Sequence, residues 1–421
     1  MKKRIAFTLN LAVILTLIIS SCALAPSKQV EISIVYGSEK QEWLEPLVES
    51  FNNSRNKVAD GSVIHVTATP MGSIESVEGI INQTLTPTVW SPASSLYIPV
   101  ANAEWRKSHS DDLITGNPKD LVLSPVVVAM WKPMAEVLGY PQKALGWADI
   151  GQLAISDEGW SAFGYPEWGG FKFGHTHPNF SNSGLVAIVA QAYAGAGKQR
   201  DLTLDDLSQP ELRTFMANVQ SSIIHYGTST GFFANRMFER GPSYLSAAVM
   251  YENLVVAQET KRLNGESSQL PVVAIYPKEG TFWSNHPYVI LNAPWVDDAQ
   301  REAAQAFLTF LLDKPQQQKA LEYGFRPSDP SIPFTAPLDA NHGIDTAQPQ
   351  TVLEIPSEEV IRGIEQVWEQ TKKPVDLVIA IDTSNSMNGR KIAAARTSLV
   401  DFINLLDDRD RLQVIGFSTD V

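Results

Sequence analysis

Residues 31–52 read EISIVYGSEKQEWLEPLVESFN, and the change of hydrophobic period inside this stretch decides the fold. Residues 31–36 make an apolar strand that breaks at Gly37 and Ser38. Trp43, Leu44, Leu47, Val48 and Phe51 then recur at helical spacing over about 39–52, which puts Ser38 where an N-cap belongs. Residues 63–69 read as the next strand and 73–84 as the next helix. The chain therefore opens β-α-β-α, an order that predicts an α/β fold with helices on the faces of a sheet.

The pattern continues outward from there. A valine-rich strand is expected over 120–131, helices near 148–155, 184–195 and 211–226, and a strand over 247–251 followed by a helix over 252–262. Strands at 272–276 and 287–291 precede a strongly amphipathic helix over 297–312. Pro330, Pro333, Pro337, Pro349 and Pro356 then stand among small and polar residues. With a short helix at about 357–370, residues 328–373 read as a linker, and a new unit begins at 374 and runs to 421.

At the amino end, Lys2, Lys3 and Arg4 precede an apolar run over 5–19. A spanning helix needs roughly 20 apolar residues, so this run is a signal segment, not a span. Ile19-Ser20-Ser21-Cys22 resembles the lipobox of bacterial lipoproteins, in which the cysteine thiol receives the lipid. Cys22 is the single cysteine of the chain. The expectation is a signal peptide over 1–21, a lipidated tether over 22–29, and an exported chain held to the membrane on its periplasmic or cell-surface side. Without residues 1–21 the chain carries 30 basic against 46 acidic side chains, a net charge of −16. That balance excludes nucleic acid as a partner. A lipid-bearing Cys22 also leaves no disulfide and no thiolate metal site.

Several short motifs follow one another in a telling order: Val35-Tyr36-Gly37-Ser38, Trp90-Ser91-Pro92-Ala93-Ser94-Ser95, 178–184 (PNFSNSG), Val249-Met250-Tyr251-Glu252-Asn253, 276–281 (YPKEGT) and Tyr323-Gly324-Phe325-Arg326-Pro327. In this order they resemble the type II periplasmic solute-binding proteins over 30–327. The resemblance implies a two-lobed α/β module that closes by a hinge on a small solute, a non-enzymatic binding role, and an ABC permease as a possible partner. The residues support a site independently. Ser38 precedes one helix, while Ser181 and Ser183 precede another, and a helix N-terminus offers free N–H groups and about half a positive charge to a polar or anionic solute. Ser94 and Ser95 add hydroxyls from the first lobe, and Asn179, Tyr251 and Glu252 line the second. Glu252 would repel an anion unless it is turned away or paired. Each of these serines can equally be an ordinary cap or turn residue.

Two other patterns compete for attention. Gly227-Thr228-Ser229-Thr230-Gly231 matches the G-x-S-x-G of serine hydrolases, which requires a strand before it and a helix after it. Leu212, Phe215, Met216, Val219 and Ile223 keep helical spacing, so Gly227 reads as a helix C-cap and the hydrolase is disfavoured. His175 and His177 sit two apart and could face one zinc ion, yet no cysteine or histidine cluster accompanies them.

The final unit opens with the apolar run Leu377-Val378-Ile379-Ala380-Ile381, as expected of a central strand buried on both faces, and then Asp382-Thr383-Ser384-Asn385-Ser386. This D-x-S-x-S, followed by Gly389, Lys391 and Ile392, resembles the metal-ion-dependent adhesion site of von Willebrand factor type A domains. Asp382, Ser384 and Ser386 would offer hard oxygens to Mg²⁺ or another divalent cation. Asn385 stands where glycine is common. The resemblance implies a Rossmann-like domain that binds a protein ligand, and the family's remaining metal ligands fall beyond Val421, so the expectation is an incomplete type A domain. The combined expectation is a membrane-anchored solute receptor coupled to a protein-binding domain. The alternatives are an adhesion or assembly protein whose lobes form a stalk, and the binding component of an ABC importer.

Overall fold

The computed structural model describes residues 28–403, 406 and 408–418. Cys22, the signal segment and most of the tether lie outside the described residues. No helix among the described residues is long and apolar enough to cross a membrane.

The first lobe is built on a five-stranded sheet in the order Val63–Met71, Gln29–Gly37, Val89–Ser91, Pro287–Ile290 and Lys119–Asp120. Gln29–Gly37 runs parallel to Val63–Met71, with Ile32 beside Val66, and Pro287–Ile290 enters antiparallel. Side chains alternate between two faces. Ile32, Ile34, Val66 and Val89 pack with Trp43, Leu47 and Phe51 of the helix Gln41–Asn53 and with Phe307 of Asp298–Leu312. Trp90 and Val289 pack on the other face with Val77, Ile80 and Trp105. Gln29–Gly37 becomes buried on both faces only over its second half, and Val63–Met71 keeps one face partly exposed, so polar residues alternate with apolar ones along much of both strands.

The second lobe carries a seven-stranded sheet. Its main path is Trp283–Ser284, Val122–Trp131, Ala247–Tyr251, Phe173–Thr176 and Ile223–Gly227, with Val272–Ile275 and Arg326–Pro327 also paired to Val122–Trp131. The chain crosses between the lobes at 120–122, at 284–287 and again near Phe325, so three crossings join the two sheets.

Three expectations are corrected by packing. The helix expected over 211–226 ends at Ser221, and Ile223–Gly227 is a strand parallel to Phe173–Thr176. Ile223 kept the helical spacing of its predecessors but is buried as the first residue of that strand. The linker is also not free chain. Ile332, Leu338, Ile344, Leu353 and the helix residues Val360, Ile361, Ile364, Val367 and Trp368 belong to the core of the second lobe.

The third correction concerns the carboxyl-terminal segment, which forms the expected strand-helix-strand from Asp376–Asp382, Arg390–Ile403 and Arg411–Phe417, with the strands parallel. Its first strand is not buried on both faces: Val378 is 64% exposed, and Val414 of the second strand is 45% exposed. Among the described residues one strand is all that pairs with it.

Candidate functional site

Several helices begin where the lobes meet. Ser73–Ile81 belongs to the first lobe, and Asn182–Ala196, Thr230–Arg240 and Glu252–Leu263 belong to the second. Serines stand at the N-cap positions 181 and 229, yet neither hydroxyl caps its own helix. They face other hydroxyls instead. Ser38 bonds to Ser229 across the lobes and accepts the Gly231 N–H at 3.0 Å. Ser181 lies 3.1 Å from the Thr230 hydroxyl, which donates to Ser183 at 2.8 Å, and Ser183 meets Thr176 at 2.8 Å. Asn182 Nδ2 donates to the Tyr251 hydroxyl at 3.1 Å.

Glycine makes the approach possible at two points. A Cβ on Gly231 would sit 2.7 Å from the Ser38 carbonyl oxygen, and one on Gly184 would sit 2.1 Å from that of Thr176. Side chains there would push the lobes apart or lift the helix start from the strand end.

Below the hydroxyls lies a buried charged cluster that the sequence reading missed. Lys40 Nζ donates to Glu39 Oε1 at 2.8 Å, and His286 Nδ1 is 3.2 Å from Lys40 Nζ and 3.3 Å from Glu39 Oε1. All three side chains are within 2% of complete burial. Burial alone would raise the Glu39 carboxyl, but the Lys40 charge and the bonds from His286 and Lys40 hold it at about 2. Burial, helped by the Lys40 charge, pushes the His286 imidazole down to about 4. The ring is therefore neutral at pH 7. Its Nδ1 faces both Lys40 and Glu39, and its Nε2 has no hydrogen-bond partner among the described residues. Ser91 Oγ, Ser284 Oγ and Asn182 Oδ1 are likewise buried without a partner. Buried polar atoms are nearly always bonded, so these atoms call for a partner that the described residues do not supply.

Glu252, whose charge threatened the anion reading, is accounted for. Its carboxylate is fully buried and held by Arg326 in a two-point fork, Nε to Oε1 at 2.8 Å and Nη2 to Oε2 at 2.7 Å, and the Tyr276 hydroxyl also donates to it. Beside the hydroxyls a cavity of about 260 Å³ opens between the lobes, lined by Ser38, Glu39 and Trp43 on one side and Gly231, Asn253 and Leu254 on the other.

The remaining sequence candidates divide. Ser38, Ser181, Ser183 and Tyr251 are brought together. Ser94 is an ordinary cap, accepting from the Leu96 N–H at 2.9 Å, and the Ser95 hydroxyl accepts from Asn285 at 2.8 Å. Asn179 is exposed and outside the cluster. Ser229 and Thr230 were missed, although the N-cap reading applied to them equally; Ser38 itself is not an N-cap, since it opens the short turn Ser38–Lys40 and the helix Gln41–Asn53 starts only after Lys40. The G-x-S-x-G stretch does join a strand to a helix, contrary to the sequence reading. Its Ser229, however, has extended backbone and bonds to Ser38 and not to an imidazole, so the base that a nucleophile needs is not beside it. His175 has both ring nitrogens engaged, with the Thr176 carbonyl at 2.7 Å and Gln220 at 3.4 Å, while His177 packs edge-on against Trp368 at 4.9 Å.

In the carboxyl-terminal segment, Asp382 Oδ1 accepts the Ser384 N–H at 2.7 Å, and the Ser384 and Ser386 hydroxyls are 2.9 Å apart. One carboxylate and two hydroxyls thus share the loop.

The family model described as bacterial extracellular solute-binding protein matches residues 32–326. Two curated relatives, both uncharacterised proteins of Mycobacterium tuberculosis strains, are each 24% identical over 334 residues. The alignment covers 72% of this chain and 44% of theirs, so the chain spans less than half the length of the curated relatives it matches. Among solved structures, a periplasmic thiamin-binding protein superposes with a TM-score of 0.57 at 12% identity, covering 83% of this chain and 98% of its own. A periplasmic binding protein of Actinobacillus pleuropneumoniae with fructose-6-phosphate bound gives 0.54 at 13% identity over 82% and 98%. These similarities show a shared two-lobed α/β fold.

Proposed function

The chain belongs to the bacterial extracellular solute-binding proteins, and from that premise we propose that its lobes close on a small polar or anionic solute held at Ser38, Ser181, Ser183, Ser229, Thr230 and Tyr251. The observation that carries this reading is the Ser38–Ser229 hydroxyl pair across the lobes, beside the hydroxyls of Ser181, Ser183 and Thr230 at two second-lobe helix N-termini, with nearby buried polar atoms that lack partners. Charge favours an anionic or hydroxylated solute over a cation. Glu39 is offset by Lys40 and Glu252 by Arg326, so the helix N-termini supply the uncompensated field. The interlobe surface is polar, which supports a receptor over a stalk.

The test is thermal unfolding of the purified chain with sulfate, phosphate, hexoses, hexose phosphates and amino acids. A solute present at 100 times its Kd adds about 2.7 kcal/mol of stability, and the Gly231→Val chain, whose Cβ collides with Ser38, is expected to lose that shift. Stabilisation by no solute, or the same shift in Gly231→Val, contradicts the reading.

The same proposal extends to the two ends. Lipid on Cys22 anchors the receptor, a reading supported by the Ile19-Ser20-Ser21-Cys22 sequence. In a completed type A domain, Asp382, Ser384 and Ser386 would contribute to a divalent-cation site through which a protein partner binds, a reading supported by their hard oxygens sharing one loop. Cys22→Ala is expected to move the protein from the membrane to the soluble fraction, and Asp382→Ala to abolish Mg²⁺ binding by a completed type A domain, measured by calorimetry. Unchanged fractionation removes the anchor, and unchanged Mg²⁺ binding removes the metal site.

A further inference from the structure

The helix Glu358–Thr371 touches both lobes and the carboxyl-terminal segment. Its apolar side, Val360, Ile361, Ile364, Val367 and Trp368, is buried in the core of the second lobe. Its Arg362 reaches the other way, to Glu104 of the first-lobe helix Ile98–Trp105 at 2.5 Å, and also holds Glu358 at 3.0 Å. At its end the Arg409 guanidinium donates to the carbonyls of Glu369, Gln370 and Lys372 at 2.6, 2.8 and 3.3 Å. A cation on the last carbonyls of a helix complements its dipole and fixes the following segment to it.

A buried polar path joins this helix to the cleft. Trp368 Nε1 donates to Gln220 Oε1 at 3.2 Å, and Gln220 Nε2 lies 3.4 Å from His175 Nε2. His175 Nδ1 is 2.7 Å from the Thr176 carbonyl, and the Thr176 hydroxyl is the last member of the chain that runs through Ser183 and Thr230.

We propose that the helix Glu358–Thr371 reads the separation of the lobes and passes it to the carboxyl-terminal segment fixed at its end. The inference rests on the reading of two lobes that open and close. The helix stays with the second lobe because its apolar face is buried there. Glu104 moves with the first lobe, so opening must break the Arg362–Glu104 pair. Lobe closure is thus a two-state element that both the cleft and the helix bias, which is the physical requirement for coupling. Coupling of this kind is reciprocal: whatever closes the cleft holds the helix, and whatever frees the helix loosens the cleft.

Amide hydrogen exchange on the full chain tests this without any solute. The Gly231 N–H, bonded to Ser38, and the Ile74 N–H, bonded to the Phe180 carbonyl at 3.1 Å, report the closed cleft. Arg362→Glu is expected to speed their exchange by about two- to fivefold, the range of an exposed ion pair, and the swap Arg362→Glu with Glu104→Arg to restore it. In the opposite direction, Gly231→Val is expected to speed exchange within 358–371. Wild-type exchange at Gly231 and Ile74 in Arg362→Glu overturns the proposal. So does a protected helix in a Gly231→Val chain whose Ile74 amide exchanges fast. A solute panel that yields no ligand bears on the receptor reading alone.

Discussion

An Arg326→Ala chain is expected to lose about 3–5 kcal/mol of folding stability, measured by urea unfolding, because the substitution strands the Glu252 carboxylate in the core with no cation. The pair is bidentate, and Glu252 has no exposure to water through which to recover its lost solvation. Arg326 also donates to the Thr346 carbonyl at 3.1 Å and lies over the Trp283 and Phe334 rings at 5.0 and 5.5 Å. Lysine keeps the charge without the fork, so Arg326→Lys should fall between wild type and alanine. The double change Arg326→Met with Glu252→Leu should recover most of the loss, since it removes the stranded charge together with its partner. A cost below about 1 kcal/mol for Arg326→Ala would mean that the pair is not what holds the crossing strand Arg326–Pro327 in place.

Trp368→Ala is expected to cost about 3–5 kcal/mol, the range for removing a large buried aromatic side chain. The indole is fully buried, packs edge-on against His177 and Tyr226, and donates to Gln220, which then loses a bond inside the core. The measurement separates two pictures of residues 328–371. If they were a linker, the unfolding midpoint of the two-lobed module would not change. If they complete the second lobe, the loss appears in the main cooperative transition. An unchanged midpoint would return the segment to the status of a tether.

The sequence by itself determined the parts whose cause is local. The strand 29–37 with its helix 41–53, the strand 247–251 with its helix, and the amphipathic helix near 298–312 all follow from hydrophobic period and from the glycines and serines at their ends. The positions Ser38, Ser181, Ser183 and Tyr251 were legible for the same reason, since a strand end that leads into a helix start is a local signal. The loop Asp382–Ser386 after an apolar strand was legible in this way too.

Only the tertiary structure decided what depends on partners far along the chain. Ser38 meets Ser229 across 191 residues, and Glu252 meets Arg326 across 74. No local pattern says that one carboxylate is paired and another is not. Lys40 and His286 are marked by no local pattern, and the fold buries them against Glu39. Ile223–Gly227 became a strand because a neighbouring strand took up its backbone hydrogen bonds, overriding a helical period that ended only one turn earlier. The prolines of 328–356 suggested free chain, yet Ile332, Leu338, Ile344 and Leu353 are buried there. Period and turn chemistry set which elements form, whereas charge pairing, burial and lobe contact are settled by which elements meet, and that information is not carried by neighbours in sequence.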